Sequence, residues 1–178
     1  MTLSHLNNDS RSTVTHLFTA TFTASEGEHE GNLVGKLASE LSALIDDQEV
    51  IAIGAQQEGS LVGCVIFTRL RFEHPSLIYL LAPLAVRTDR QRQGIGRQLI
   101  HDGLQELKQR SVATVITYGD PAYYGKAGFQ PIPPGTIQPP YPLSQPHGWL
   151  GCSLTGEPLP ALPGRPSCAE PFRNRLYW

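Results

Sequence analysis

Cysteine is scarce and poorly placed for cross-linking: Cys64, Cys152 and Cys168 are three in number and show no paired spacing. Such a set fits reduced thiols better than a disulfide scaffold or a zinc site. Long apolar runs are missing too. No stretch approaches the roughly eighteen residues of a membrane span, and Met1 to Ala20 alternates polar and apolar side chains without the short apolar core of a secretion signal. The six histidines have no metal-ligand spacing, and Ser, His and Asp form no recognisable nucleophile constellation. Charge of one sign is also lacking. With 14 Lys and Arg against 16 Asp and Glu, the net charge is −2 and the pI about 6.3, so an anionic ligand must be held by a local site. These absences predict a cytoplasmic, soluble protein with no metal, no nucleic-acid partner and no membrane association.

What is present suffices for one core. A chain of 178 residues can bury its own apolar interior, and a single domain spanning 1–178 is expected. Val14, Leu17, Phe18 and Phe22, then Leu33, Leu37, Leu41 and Leu44, recur at helical spacing and predict two early helices. Glu26 to Glu30 reads as a small acidic loop between them. Val50–Ile53 and Leu61–Phe67 flank Gln56-Gln57-Glu58-Gly59-Ser60 and predict a hairpin whose ends are blurred by Gly54 and Gly63.

Leu77 to Val86 is a continuous apolar run, the pattern of a central strand buried on both sides. Pro83 lies inside it. Because proline cannot donate to a ladder, the strand is expected to be disrupted or to part from a neighbour near Pro83, leaving backbone groups a ligand could pair with. Ile95, Leu99, Ile100, Leu104 and Leu107 mark an amphipathic helix ending near Arg110, followed by a strand over 113–118. Asp120-Pro121 is an N-cap and first-turn pair, predicting a short helix over 122–126 that Gly128 ends. Twelve of the fifteen prolines fall between Pro131 and Pro171, so that segment should be loops packed on the domain, with a further edge strand at Trp149 to Leu154. The reading is an α+β fold around one twisted sheet.

In Gln91-Arg92-Gln93-Gly94-Ile95-Gly96-Arg97 two glycines stand between the buried strand and the amphipathic helix. The first amides of a helix have no partner inside it and point along its axis, where an anion fits. Arg87, Arg90, Arg92 and Arg97 surround the turn against a single Asp89, which suits a di- or triphosphorylated ligand. A dinucleotide fingerprint would need a glycine or alanine at Leu99, and a P-loop would need Gly-Lys-Ser/Thr after four spacers. Neither is present.

Pro83-Leu84-Ala85-Val86 followed by Gln91-x-x-Gly94-x-Gly96 resembles motif A of the GNAT superfamily of acyl-CoA N-acyltransferases. Asp120-Pro121-Ala122-Tyr123-Tyr124-Gly125-Lys126-Ala127-Gly128-Phe129 resembles its motif B, in the branch with Gly-Asp-Pro-x-Tyr-Tyr before Gly-Phe. The resemblance implies a mixed, mostly antiparallel twisted sheet with a splayed central strand pair and helices on both faces. It implies acetyl-CoA as co-substrate, its pyrophosphate on the amides of Gln91, Arg92, Gln93, Gly94, Ile95, Gly96 and Arg97, and its pantetheine arm along Leu84, Ala85 and Val86. Tyr124 is then the residue facing the leaving thiolate, with Tyr123 assigned to the core.

The reaction implied is direct acetyl transfer to a primary amine of a small molecule or peptide. Several family members carry a glutamate where this chain has Leu80, so the base is unassigned, with Glu73 and His74 as candidates beside a plain polar-loop reading. Thr117 and Asp120 replace the usual motif B asparagine and alanine. Glu26 to Glu30 could attract a cationic acceptor or be a solvated turn. A non-catalytic acetyl-CoA-binding module remains the alternative. Phe172, Tyr177 and Trp178 could anchor a homodimer or close the core, and the second is favoured.

Overall fold

The computed structural model describes residues 1–178 and contains seven strands and four α-helices. The strands are β1 (Thr2–His5), β2 (Val50–Gln57), β3 (Ser60–Leu70), β4 (Ile78–Val86), β5 (Thr114–Tyr118), β6 (Gln130–Pro131) and β7 (Trp149–Ser153). The helices are α1 (Arg11–Glu26), α2 (Glu28–Ser42), α3 (Ile95–Gln109) and α4 (Pro121–Tyr124). The sheet order is β1-β2-β3-β4-β5-β7-β6. It is mixed, as expected: β4 and β5 run parallel, whereas β1–β2, β5–β7 and β6–β7 are antiparallel. Two compact units make up the chain, residues 1–67 with 83–103 and residues 68–82 with 104–178.

In the first unit, α1 buries Val14, Leu17, Phe18 and Thr21, the i, i+3, i+4, i+7 set of one helix face. Its partner α2 buries Val34, Leu37, Ala38 and Leu41 in the same rhythm. The two helices are joined by Gly27 alone. The acidic loop expected between them is therefore mostly helix: Glu28 and Glu30 lie in the first turn of α2, where the helix dipole favours negative charge. Leu44 falls beyond the helix and is exposed. The hairpin turns on Glu58 and Gly59, both at positive φ, the tight two-residue form that matches strand twist. Gly54 and Gly63 lie within the strands and do not mark their ends. Strand β1 went unassigned in the sequence because four residues carry too little periodicity to stand out; it is held by pairing Thr2–His5 with Ile53–Gln56.

Close approach fixes α3 on this unit. A Cβ on Gly63 would lie 2.9 Å from Leu99, and one on Gly103 only 2.4 Å from the Phe67 ring. An alanine in mid-helix is ordinarily better than glycine by about 1 kcal/mol. Here the fully buried Phe67 ring cannot swing aside, so Gly103→Ala is expected to lower unfolding stability by roughly 1 to 3 kcal/mol in a urea titration. A stabilised variant would show that the ring yields.

The second unit is built on β5. Thr114 to Thr117 pair in parallel with Ile78 to Leu81, and Thr114 to Tyr118 pair antiparallel with Ser153 to Trp149. Strand β7 is thus interior, between β5 and the two-residue β6, and not the edge strand expected. The proline-rich remainder is irregular but tied down. Trp149 donates its indole N–H to the Ile137 carbonyl, Trp178 donates to Phe172, and Arg71 bridges Ser167. Trp178 stacks near Tyr118 and meets Tyr141, Trp149 and Phe172 at tilted or edge-on angles. Phe172 and Trp178 are buried in this cluster, so the chain end closes a core, as favoured from the sequence.

Candidate active site

Strand β4 is continuous through Pro83, yet its ladder to β5 runs only from Ile78–Thr114 to Leu81–Thr117. The pairing ends two residues before the proline, so the strands part where its missing donor predicted. Burial changes at the same place. Ile78 to Leu81 are all buried, whereas from Ala82 onward the residues alternate, leaving Ala82, Leu84 and Val86 partly exposed and Ala85 buried. The expected burial on both sides therefore holds only for the first half of the strand.

The turn after β4 belongs to the first unit with Leu84, Ala85 and Val86. Arg92 and Gly94 both take positive φ, 61° and 83°. That geometry brings the chain abruptly into α3, whose first bond in the ladder is Gln98 N–H to Gly94 C=O at 3.0 Å. The amides of Ile95, Gly96 and Arg97 precede that bond and are the orphan donors of the helix start. Space over Gly94 is open: a Cβ there would meet only an Arg97 guanidinium nitrogen at 4.0 Å. Gln91 ties the turn back to the strand by donating its side-chain amide to the Val86 carbonyl at 3.0 Å.

The arginine cluster is less uniform than its sequence suggests. Arg87 grips Asp89 at 2.6 and 3.0 Å, and Arg90 sits 3.6 Å from Asp89 and 4.0 Å from Glu58. The hydrogen bond from Arg87 holds the Asp89 carboxyl below its ordinary range. Arg92 and Arg97 stay exposed and outside these pairs, so they carry the uncompensated charge beside the open amides.

Tyr124 belongs to the second unit. Asp120 caps α4 by accepting from the Ala122 N–H at 2.8 Å, and Pro121 supplies the first helical position, as the sequence implied. The Tyr124 ring lies over Gly119, where a Cβ would come within 2.5 Å of it, and meets Phe129 edge-on at 5.8 Å. Burial pushes the phenol pKa up to about 12, a rise that the Thr117 hydroxyl only partly opposes. Tyr123 is not a core residue: it is 39% exposed and touches the edge of Tyr124 at 5.1 Å. Consecutive helical residues face about 100° apart, so only one of the pair could turn inward.

Leu80 is buried and stands in register with Ile116. Glu73 and His74 lie exposed in the loop before β4, where His74 accepts the Ser76 N–H at 3.2 Å, the polar-loop arrangement. Burial raises the thiol pKa of Cys64, Cys152 and Cys168 alike, so none is a poised thiolate. Thr117, which stands where motif B usually has asparagine, is completely buried and donates its hydroxyl to the Leu81 carbonyl at 2.8 Å.

A mixed sheet whose central ladder stops at a proline, followed by an anion-ready helix start and a capped tyrosine turn, is the framework of an acyl-CoA-dependent transferase. The acetyltransferase (GNAT) family matches residues 11–129, and the chain belongs to that family of acyl-CoA N-acyltransferases. It is 35% identical over 148 residues to the uncharacterised N-acetyltransferase YjhQ of Escherichia coli (strain K12), covering 80% of this chain and 79% of the relative. Over 79 residues it is 37% identical to the uncharacterised N-acetyltransferase YhbS of the same strain, covering 44% and 47%. Solved structures share the fold. The GNAT family N-acetyltransferase YhbS from Escherichia coli in complex with CoA superposes with a TM-score of 0.82 at 24% identity, over 98% of this chain and 92% of that one. A GNAT family acetyltransferase from Brucella melitensis in complex with acetyl-CoA gives 0.71 at 19% identity, over 96% and 97%. No helix is long and apolar enough to cross a membrane.

Proposed function

We propose that this protein moves the acetyl group of acetyl-CoA directly to a primary amine of a small molecule or peptide in the cytoplasm, and that residues 1–178 form a single N-acetyltransferase domain. The observation that carries the reading is the positive-φ turn at Arg92 and Gly94, which opens the first amides of α3 beside two unpaired arginines. An anion is the natural occupant of such a helix start. The family match spans residues of both units, which supports treating them as one domain.

In this reading the 91–97 turn would hold the pyrophosphate, with amides of Ile95, Gly96 and Arg97 as donors and Arg92 and Arg97 as counter-charges. The backbone of Leu84, Ala85 and Val86, past the end of the β4–β5 ladder, would pair with the pantetheine arm. A backbone amide there, of Ala85 or Val86, would meet the oxyanion that forms when the amine attacks the thioester carbonyl. As that tetrahedral adduct collapses the C–S bond breaks and the electron pair leaves on sulfur, where the Tyr124 hydroxyl donates. A thiolate whose thiol has a pKa near 8.5 is a weaker base than a phenolate whose phenol has one near 12, by roughly 5 kcal/mol, so Tyr124 serves as a hydrogen-bond donor far more readily than as a full acid.

With leucine at position 80, the amine must lose its proton to water or to another group. A lysine side chain costs about 4.6 kcal/mol to be neutral at pH 7, and an α-amine only about 1. Amines of low pKa are therefore the acceptors this site serves best. The test is calorimetric titration with acetyl-CoA, followed by a panel of α-amines, lysine derivatives, polyamines and aminoglycosides read as free thiol. Saturable binding and amine-dependent thiol release support the reading. Binding without release from any amine would favour the non-catalytic module.

A further inference from the structure

With no carboxylate at Leu80, the base that the attacking amine needs must come from elsewhere. The two candidates read from the sequence stand at the wrong end of their unit. Glu73 and His74 precede β4, whose ladder to β5 begins at Ile78–Thr114 and runs in parallel to Leu81–Thr117. Tyr124 follows the opposite end of β5. A second segment arrives at that end, because β7 runs antiparallel to β5 and its first residue, Trp149, is in register with Tyr118. The residues just before Trp149 are therefore delivered beside Gly119. They form a single-turn 3-10 helix, Pro146–Gly148, held by two anchors. The Gly119 N–H donates to the Gly148 carbonyl at 2.9 Å, and the Tyr118 hydroxyl accepts the Gln145 N–H at 2.8 Å and bonds Ser144 at 3.0 Å. A Cβ on Gly148 would come within 2.9 Å of the Gly119 carbonyl oxygen, and one on Gly119 within 2.5 Å of the Tyr124 ring. Gly119 thus touches both Gly148 and Tyr124, and the residue beside that contact, His147, is exposed.

We propose that His147 is the catalytic base, the group that takes the proton of the attacking amine directly or through one water. The proposal rests on the role given to Tyr124 above, since Tyr124 marks where the sulfur leaves. A base must lie within hydrogen-bond reach of the proton or one bridging water away, and the Gly148–Gly119–Tyr124 contact brings His147 to that neighbourhood. Imidazole is also the side chain that changes charge between about pH 5 and 8, so it can be neutral before the step and protonated after it. In the step the neutral amine nitrogen bonds to the thioester carbon, the C–S pair leaves on sulfur, and the surplus N–H proton passes to the imidazole. The imidazolium returns that proton to solvent, and the products are the N-acetyl amine and free CoA. The titratable and charged groups on the elements packed around this turn are Tyr118 and Asp120 at the end of β5, Tyr123, Tyr124 and Lys126 just beyond, and Arg175 over the Tyr141 ring. Asp120 is committed to the Ala122 N–H, and the Tyr118 hydroxyl to Gln145 and Ser144. Lysine and arginine, when charged, have no lone pair to offer. His147 is the group on this face suited to accept a proton near neutrality.

The test uses the full chain, with acetyl-CoA as donor and whichever amine of the panel releases thiol fastest as acceptor. His147→Gln should lower kcat roughly 10- to 100-fold while KM for acetyl-CoA stays within about twofold. Because the side chain is exposed, the melting temperature should not move. Two further readouts separate a base from a residue that merely shapes the turn. At saturating amine the wild-type kcat should fall as pH drops through the range in which imidazole gains its proton, about 8 to 5, and this acid limb should be missing from His147→Gln. Free imidazole added to His147→Ala should raise its kcat at least about threefold, because a diffusible base can enter the space left open, and should leave the wild-type rate unchanged. A kcat within about twofold of wild type, an acid limb that persists in His147→Gln, or a His147→Ala protein that imidazole does not revive overturns the proposal while leaving acetyl transfer intact. If the wild-type protein releases no thiol with any amine, the transfer reading itself falls, and this proposal with it.

Discussion

Gly94→Asp is expected to weaken acetyl-CoA binding at least about 100-fold without unfolding the protein. The residue immediately precedes α3 and its carbonyl accepts the first helical hydrogen bond, so an aspartate there sits at the position where a side-chain oxygen can cap the helix amides. Space is available, since an added Cβ meets only the tip of Arg97 at 4.0 Å. The φ of 83° is a strain for a side chain, but aspartate and asparagine bear the left-handed region best, at a cost of about 1 kcal/mol. A carboxylate in that place occupies the donors proposed for pyrophosphate and repels its charge, and like-charge juxtaposition costs several kcal/mol. Gly94→Asn separates the two effects. It keeps the size, the tolerance of positive φ and the capping ability but carries no charge, so its loss should be about tenfold. Calorimetric titration of both variants with acetyl-CoA at fixed ionic strength checks the pair. Equal affinities for the aspartate protein and wild type would mean that the diphosphate lies elsewhere.

Tyr124→Phe is expected to lower kcat roughly 10- to 100-fold while the dissociation constant for acetyl-CoA changes by less than about twofold. In the role proposed for Tyr124 the donor does not surrender its proton fully, so the loss falls below the upper range of general acid catalysis. Burial raises the phenol pKa to about 12, so the neutral, donating form is retained from low pH up to that value and is lost only as pH rises through it. The wild-type rate should accordingly show no alkaline limb due to Tyr124 below about pH 11. Phenylalanine keeps the ring that packs on Gly119 and against Phe129, so a fall in rate with unchanged melting temperature isolates the hydroxyl. A rate within twofold of wild type would assign Tyr124 to packing alone.

Much of the fold was legible because it rests on local rules. The apolar periodicity of α1, α2 and α3 names their buried faces, Asp120-Pro121 announces α4, and Glu58-Gly59 marks the hairpin turn. The errors cluster where local rules are silent. Strand β1 and the two-residue β6 are too short to carry a period, and β7 reads as an edge because nothing in Trp149 to Leu154 reports that Gln130 and Pro131 will pair outside it. Glu26 to Glu30 looked like a loop because charge density hid a single-glycine break between helices.

The candidate site divides in the same way. The open helix start was legible in the sequence, since Gly94 precedes an amphipathic helix whose first amides have no partner within it, and a proline within β4 dictates a limit to its ladder. Tertiary structure decided which charges and protons remain available there. Only packing reveals that Arg87 and Arg90 are engaged by Asp89 and Glu58 while Arg92 and Arg97 are not. Only the tertiary fold commits the buried Thr117 hydroxyl to the Leu81 carbonyl, at the last rung of the β4–β5 ladder. Backbone geometry is encoded over a few residues, whereas ion pairing and hydrogen-bond direction depend on groups that the chain brings together from far apart.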